Sequence, residues 1–178
     1  MVEQAPRSAD ELLDIVDERD RVIGTAVRAE AYARRLRHRC VFVLARDGAG
    51  RVFVHRRTAG KLVFPSCYDM WVGGVVGAGE SYDTAALREA EEELGVSGLP
   101  APVPLFTFLY ETAEHSWFAA LYEVRCDLPV DPQPEEVAWH DFLTEDEIEQ
   151  RLADGGWEWV PDGLDAWRRL RAWRQATG

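Results

Sequence analysis

The helical segment at residues 82–94 carries Glu89, Glu91, Glu92 and Glu93 near its C-terminal end, and any fold of this chain has to accommodate them. At about 100° per residue, Leu87, Ala90 and Leu94 form a stripe suited to packing on a sheet. Glu89, Glu92 and Glu93 fall together on a different side, with Arg88 beside them and Glu91 pointing elsewhere. Small Ala85 and Ala86, one turn earlier on the glutamates' side, leave room above them. Like charges at i,i+3 and i,i+4 repel by roughly 0.2–0.5 kcal/mol per pair. Carboxylates at the negative end of a helix dipole lose about 0.3–1 kcal/mol more. Gly95 is a natural C′ residue, so the helix ends there. A segment that breaks local rules marks a candidate site, and a hard divalent cation with oxygen ligands would reverse the sign of every one of these terms.

The loop ahead of this helix points the same way. Gly73, Gly74, Gly77 and Gly79 let backbone approach an ion or a phosphate closely. It is not a Walker A loop, because no Gly-Lys-Ser/Thr follows. A solvated acidic helix behind a flexible loop is the alternative reading at this stage.

Around that centre the chain alternates strands with a few helices. Residues 14–17 and 22–27 read as a first hairpin, followed by a short helix over 29–36. Residues 40–45 and 52–55 flank Asp47-Gly-Ala-Gly50 as a second hairpin. Residues 68–80 read as a glycine-rich stretch. Strands follow at 105–110, 117–124 and 137–142, with an irregular connector over 129–134. Thr144 and Glu147 make a capping box for a helix to about residue 153. Leu164, Trp167, Leu170 and Trp173 stripe a last helix over about 162–176, suited to core or dimer packing.

With 178 residues, a single domain with a sizeable core is expected. The apolar runs are too short to span a bilayer, and the first ten residues lack the pattern of a secretory leader. Cys40, Cys67 and Cys126 are odd in number and show no CxxC spacing, which fits reduced thiols in a cytoplasmic protein. A net charge of −12 argues against a nucleic-acid backbone as partner. The charge is unevenly spread: residues 21–61 hold eleven Arg or Lys against two acids, and residues 62–164 hold three basic against twenty-two acidic side chains. Either both are solvated faces, or a basic wall grips phosphates while an acidic wall holds the cations that neutralise them.

The pattern Gly74, five residues, Glu80, seven residues, then Arg88-Glu89-Ala90-x-Glu92-Glu93-x-Gly95-Val96 resembles the Nudix box at every fixed position. The soft departure is Ala90, where that family prefers a larger aliphatic residue. The likeness implies an α/β fold, a Nudix-type α/β/α sandwich with a mixed β-sheet whose core covers about residues 14–155. It implies Mg²⁺ or Mn²⁺ held by Glu89, Glu92 and Glu93, with a backbone carbonyl near Gly73 or Gly74 as a further ligand. Arg88 is expected to orient Glu89, Glu80 to anchor the loop, and Glu114 is a candidate additional ligand or base. Arg56, Arg57 and Lys61 are candidates to grip the distal phosphate of a small-molecule diphosphate. Phe64, Tyr68, Trp71 and Trp117 are candidates to stack on a base or cover an isoprenoid, with core packing as the other reading. His38 is more simply a structural histidine.

A narrower likeness is carried by Val16-Asp-Glu-Arg-Asp20, Ile23-Gly24, His38-Arg39, Arg56-Arg57, Lys61 and Phe64-Pro65, which resemble Nudix proteins related to isopentenyl-diphosphate isomerase. That enzyme's catalytic cysteine and metal-binding histidine align with Gly73 and Val75 here, and Cys67 lies six residues too early. The expected function is therefore a pyrophosphatase-type hydrolase acting on a nucleoside diphosphate derivative or related organic pyrophosphate. The alternatives are an isomerase-like enzyme and a non-catalytic Nudix-like binding module, the latter disfavoured because all three glutamates are present.

Overall fold

The computed structural model describes residues 8–178. Residues 1–7, which belong to the expected single domain and to the segment read as lacking a leader, lie outside the described residues. After a 3-10 turn at Ser8–Asp10 the elements run β1 (Leu12–Val16), β2 (Val22–Val27), α1 (Arg28–Ala33), β3 (His38–Arg46), β4 (Val52–Arg57), β5 (Tyr68–Asp69), β6 (Val72–Val75) and α2 (Tyr82–Leu94). They continue as β7 (Val103–Glu111), β8 (Ser116–Arg125), β9 (Val137–Leu143), α3 (Glu145–Asp154) and α4 (Pro161–Thr177).

Strand β3 organises the layers. It runs parallel to β8 from His38↔Trp117 to Arg46↔Arg125, and β8 pairs antiparallel with β7, so the sheet is mixed. Its side chains alternate faces. Val41, Val43 and Ala45 pack with Ala85, Ala86, Ala90 and Leu94 of α2. Cys40, Phe42 and Leu44 pack on the other side with Ala31, Ile148, Ala166, Trp167 and Leu170 from α1, α3 and α4. This is the expected α/β arrangement, with helices on both faces of the sheet.

Two expectations need correction. The glycine-rich stretch holds two short strands: β5 pairs with β4, and β6 pairs antiparallel with β3 from Cys40↔Val75 to Val43↔Val72. Periodicity misses them because β5 is two residues long and half of β6 is glycine. Glycine is required there: a Cβ on Gly73 would lie 1.9 Å from the Val41 carbonyl oxygen. The second hairpin keeps its turn, with Asp47 N–H donating to the Arg51 carbonyl at 3.0 Å, but β3 and β4 pair only at Arg46↔Val52. Beyond that point β3 takes β6 as partner and β4 takes β5 and β9. The chain crosses from the β4 side to the β3 side through Asp69–Val72.

The stripe on α2 also differs. Ala85, Ala86, Ala90 and Leu94 are buried, while Leu87 is only half-buried. The two alanines therefore do not leave room above the glutamates. They let the helix sit close to the sheet, which explains a small residue at Ala90 as well. Gly95 caps α2 in the left-handed region at φ 65°, where a Cβ would lie 1.8 Å from the Asp131 carbonyl oxygen.

Candidate active site

The N-terminus of α2 is fixed by Ser81, whose side chain accepts from Thr84 N–H at 3.1 Å. Just before it, Glu80 Oε2 accepts from Gly77 N–H at 2.9 Å, and Asp14 on β1 accepts from Gly79 N–H at 2.9 Å. The first hairpin thus buttresses the loop. Arg88 then donates to both oxygens of Glu80, Nε at 2.8 Å and Nη2 at 2.9 Å, while its Nη1 reaches Glu89 Oε1 at 2.8 Å. Such bidentate charge-assisted bonds fix an orientation as well as supplying energy. Glu91 points away and accepts from Gly98 and Leu99 N–H, closing the turn after the helix.

The three box glutamates share a face of α2 but live in different surroundings. Glu93 is 9% exposed, and burial pushes its carboxyl up against the opposing pull of Lys61 and Arg57. His55 Nε2 lies 3.8 Å from Glu93 Oε2, too far for a hydrogen bond. Burial holds His55 neutral, lowering it to about 3. Glu89 is raised to about 7, first by burial and then by the charge of Glu93, with Arg88 opposing. Glu92 is exposed, and its carboxylate is 3.4 Å from Arg88 Nη1. Among the described residues no three acidic, histidine or cysteine groups are drawn together at metal-ligating distance. The expected convergence is therefore a shared face, with Glu89 turned toward Arg88.

The position of the Glu89 carboxylate depends on Gly74. A Cβ there would lie 2.7 Å from the Glu89 carboxylate. Gly73, Gly74, Arg88, Glu89, Glu92 and Glu93 all line one cleft of about 720 Å³, within the ~300–1,000 Å³ range of small-molecule sites.

The same cleft takes Arg57 and Lys61, two of the three cations expected to hold phosphate. Lys61 forms an ion pair with Glu136, and Arg57 donates to the Val63 carbonyl at 3.1 Å, with its Nε buried and unpartnered. Arg56 does not join them. Consecutive strand residues face opposite ways, and Arg56 is exposed, donating to the Ser66 carbonyl and lying over the Tyr68 ring. Glu114 is exposed in the β7–β8 loop and is not among the cleft residues. Phe64, Trp71 and Trp117 line the cleft, whereas Tyr68 stacks on Trp157 at 4.0 Å outside it. His38 is buried behind Tyr32 and Trp117, its Nδ1 2.9 Å from the Leu36 carbonyl oxygen.

The basic run at residues 21–61 is largely neutralised locally: Arg21 pairs with Asp17, Arg34 with Glu30, Arg39 with Asp20, and Arg46 with Glu145. Only part of it forms a wall of the cleft. The lining also includes Arg28, paired with Glu11 at 3.5 Å, and the buried Asp69 and Asp162. None of these was legible as a site residue, because 93 positions separate the two aspartates and no local motif surrounds either.

The fold is thus an α/β sheet whose carboxylate-bearing helix α2 shares one cleft with Arg57 and Lys61. The NUDIX domain family model matches residues 36–163, and the chain belongs to the Nudix family. It is 71% identical over 172 residues to an uncharacterized Nudix hydrolase of Streptomyces coelicolor, spanning 96% of this chain and 94% of that protein. It is 36% identical to the uncharacterized Nudix hydrolase YfcD of Escherichia coli, spanning 99% and 97% of the two chains. The crystal structure of DR0079 from Deinococcus radiodurans superposes with a TM-score of 0.75 at 34% identity, over 89% of this chain and 98% of that one. A MutT protein structure from Methanosarcina mazei shares the fold with a TM-score of 0.64 at 19% identity, over 79% and 95%. The protein is thus an enzyme of the Nudix hydrolase class, a family that generally uses divalent metals. Among the described residues no helix is long and apolar enough to cross a membrane.

Proposed function

We propose that the chain hydrolyses the diphosphate linkage of a nucleoside diphosphate derivative or related organic pyrophosphate, in the cytoplasm, with Mg²⁺ or Mn²⁺ at the α2 face. The observation that carries this reading is one cleft with Glu89, Glu92 and Glu93 on one side and Arg57 and Lys61 among its other lining residues. The donor set suits a hard cation: three carboxylates on one helix face, with Glu89 packed against Gly74, and the backbone carbonyls of Gly73 or Gly74. Held by Glu89, Glu92 and Glu93, such an ion would supply stabilisation of the charge that develops on the diphosphate and would make a water more acidic.

The chain's own groups divide the remaining work. Arg57 and Lys61, with Arg28 nearby, neutralise and orient the phosphates, Arg57 through a guanidinium whose Nε has no protein partner. Arg88, clamped by Glu80, fixes Glu89 Oε1 and leaves Oε2 to take the proton of the attacking water. The loop at residues 58–67 keeps Lys61 and Phe64 at the cleft, with Phe64 and Ser66 held at positive φ of 50° and 63°. Glu114 is left without a role in this scheme.

The sequence likeness to the isomerase-related subgroup is read as ancestry. Cys67, the thiol nearest in sequence, is absent from the cleft lining. Cys40 does line it, but burial pushes its thiol up, which suits a packed side chain more than an acid–base group. The test is a panel of diphosphates incubated with Mg²⁺ or Mn²⁺, scoring released monophosphate or phosphate. Hydrolysis abolished by Glu93→Gln supports the reading; turnover of isopentenyl diphosphate to its isomer, lost in Cys40→Ala or Cys67→Ala, contradicts it.

A further inference from the structure

The hairpin β1–β2 forms a small sheet of its own, and among the described residues β2 has β1 on one side and no strand on the other. Leu12, Val22, Ile23 and Val27 on this hairpin are all exposed, and Ile23, at 68%, is the most exposed large hydrophobic among the described residues. From Val22 to Val27 the outer strand carries neither a charge nor a proline. The one register shift lies at the turn end, between Ile15 and Val16, and leaves Gly24 to Val27 in regular pairing. An edge of this kind offers unpaired N–H and C=O groups to another chain, and sheets that must stay alone guard such edges with charge, proline or a cover.

Gly24, in the middle of that strand, has no use inside the chain. Its φ is not in the left-handed region, and a Cβ there would meet nothing within 4 Å. A glycine in a strand interior weakens the strand, and often marks a place where another backbone comes close. The two ends of the strand carry opposite charges. Arg19, in the turn before β2, is exposed, and its guanidinium pairs with no carboxylate among the described residues. Glu30, on α1 just after β2, is exposed and held only by the i,i+4 partner Arg34, a kind of pair that contributes little. The rest of the hairpin is already engaged: Ala78 N–H donates to the Leu12 carbonyl at 2.8 Å, and the Tyr82 hydroxyl donates to Asp20 Oδ2 at 2.8 Å. Its open side is β2.

We propose that β2 is the interface between two copies of this chain, joined edge to edge as antiparallel strands about a two-fold axis near Gly24. Such an interface is self-complementary, and the strand's charges suit it: Arg19 of one protomer approaches Glu30 of the partner subunit, twice in each dimer. The neutral stretch between them lets two molecules of net charge −12 meet without setting like charges opposite one another. Gly24 clears the axis, the main chains exchange hydrogen bonds, and the exposed Val22, Ile23 and Val27 leave water together. A foreign peptide would have to bring a neutral strand flanked by the same two charges, which this chain already carries. The α4 stripe, suited by pattern to core or dimer packing, is spent inside the molecule, with Trp167 and Leu170 in the core and Trp173 against Phe106. Because the other side of the hairpin holds the loop ahead of α2, pairing at β2 braces that loop from behind. The inference stands apart from which diphosphate is cleaved.

The experiment is sedimentation velocity of the full chain over a wide range of concentration, with amide hydrogen exchange read along β2. It covers wild type, Ile23→Lys, Arg19→Glu, Glu30→Arg and the variant that combines the two charge reversals. All three positions are exposed, and circular dichroism verifies that each variant folds. Wild type is expected to sediment at twice the chain mass, with the β2 amides protected in step with dimer formation. Ile23→Lys should weaken association at least tenfold, each single charge reversal severalfold, and the combined variant should recover most of that loss. The melting temperature should rise with protein concentration in wild type and stay flat in Ile23→Lys. A monomer at every concentration overturns the proposal, and so does a dimer that Ile23→Lys leaves intact while the β2 amides exchange freely. Protection of β2 in a sample that stays monomeric means a different occupant and overturns it as well. A combined variant no tighter than the single reversals overturns the two-fold pairing.

Discussion

Glu93 shows how far this chain goes to hold acid where acid is unfavourable: a carboxylate 9% exposed, on a helix face shared with Glu89 and Glu92, with a neutral histidine behind it. Glu89→Gln or Glu93→Gln is therefore expected to lower turnover by at least about 10²-fold, the scale of a lost acid–base group, while melting at the same or a higher temperature without metal. Unchanged turnover in a folded variant would remove these residues from the chemistry. His38 gives a separate prediction about pH. Burial lowers it to about 4 in the folded protein, against an ordinary value of 6.5. Below pH 6.5 the unfolded chain binds the proton that the folded chain refuses, so stability falls as pH drops from 6.5 toward 4, by roughly 3 kcal/mol for this group alone. The raised carboxylates act in the opposite sense, so the informative quantity is the difference between wild type and His38→Gln in urea melts at pH 7.5 and 4.5. That difference should shrink at the lower pH; a constant gap would contradict the assignment. At this scale the local part of the site was legible, because Glu80, Arg88 and Glu89 lie within one loop and two helical turns. Arg56 was misjudged for want of the strand phase, which one residue decides. Asp69 and Asp162 were invisible because only the packing of α4 against β5 unites them.

Among the elements, α2 and the short strand β6 form one device, a carboxylate face set against a backbone with no side chains in the way. Gly74→Ala should keep the fold but drive Glu89 from its place, because the added Cβ meets the carboxylate at 2.7 Å. Activity should fall far more than the melting temperature, and a variant equally impaired in both would show that Gly74 matters for packing alone. Gly95→Ala should do the reverse, costing at least about 1 kcal/mol of stability through strain at positive φ and collision with Asp131, measured by urea midpoint. The long elements were readable from alternation and caps: β8, α3 with its Thr144–Glu147 capping box, and α4 all lie where pattern puts them. β6 was not, since two adjacent glycines erase the period-two signal while being the reason the strand fits. The packing stripe of α2 was misread toward Leu87 because hydrophobicity outranks smallness in a wheel, whereas close approach to the sheet selects alanine.

Taken as a whole molecule, the chain is an acidic enzyme with a net charge of −12, and most of its arginines are paired with carboxylates outside the cleft. Arg46, Glu145, Glu123 and Arg174 form a partly buried network, and none of them lines that cleft. On α2, burial opposes ionisation of Glu89 and Glu93, and the charge of Glu93 adds to it at Glu89. A divalent ion binding only the folded state would relieve this and raise stability as its concentration exceeds the dissociation constant. The direct measurement is calorimetric titration of Mg²⁺ and Mn²⁺ into the folded protein at pH 8, with and without a diphosphate ligand, in parallel with Glu89→Gln and Glu93→Gln. Saturable uptake by wild type, weakened at least tenfold in both variants and tightened by the diphosphate, is the predicted result. Heat no different from dilution in well-folded wild-type protein, or uptake that the two variants leave intact, would contradict the account.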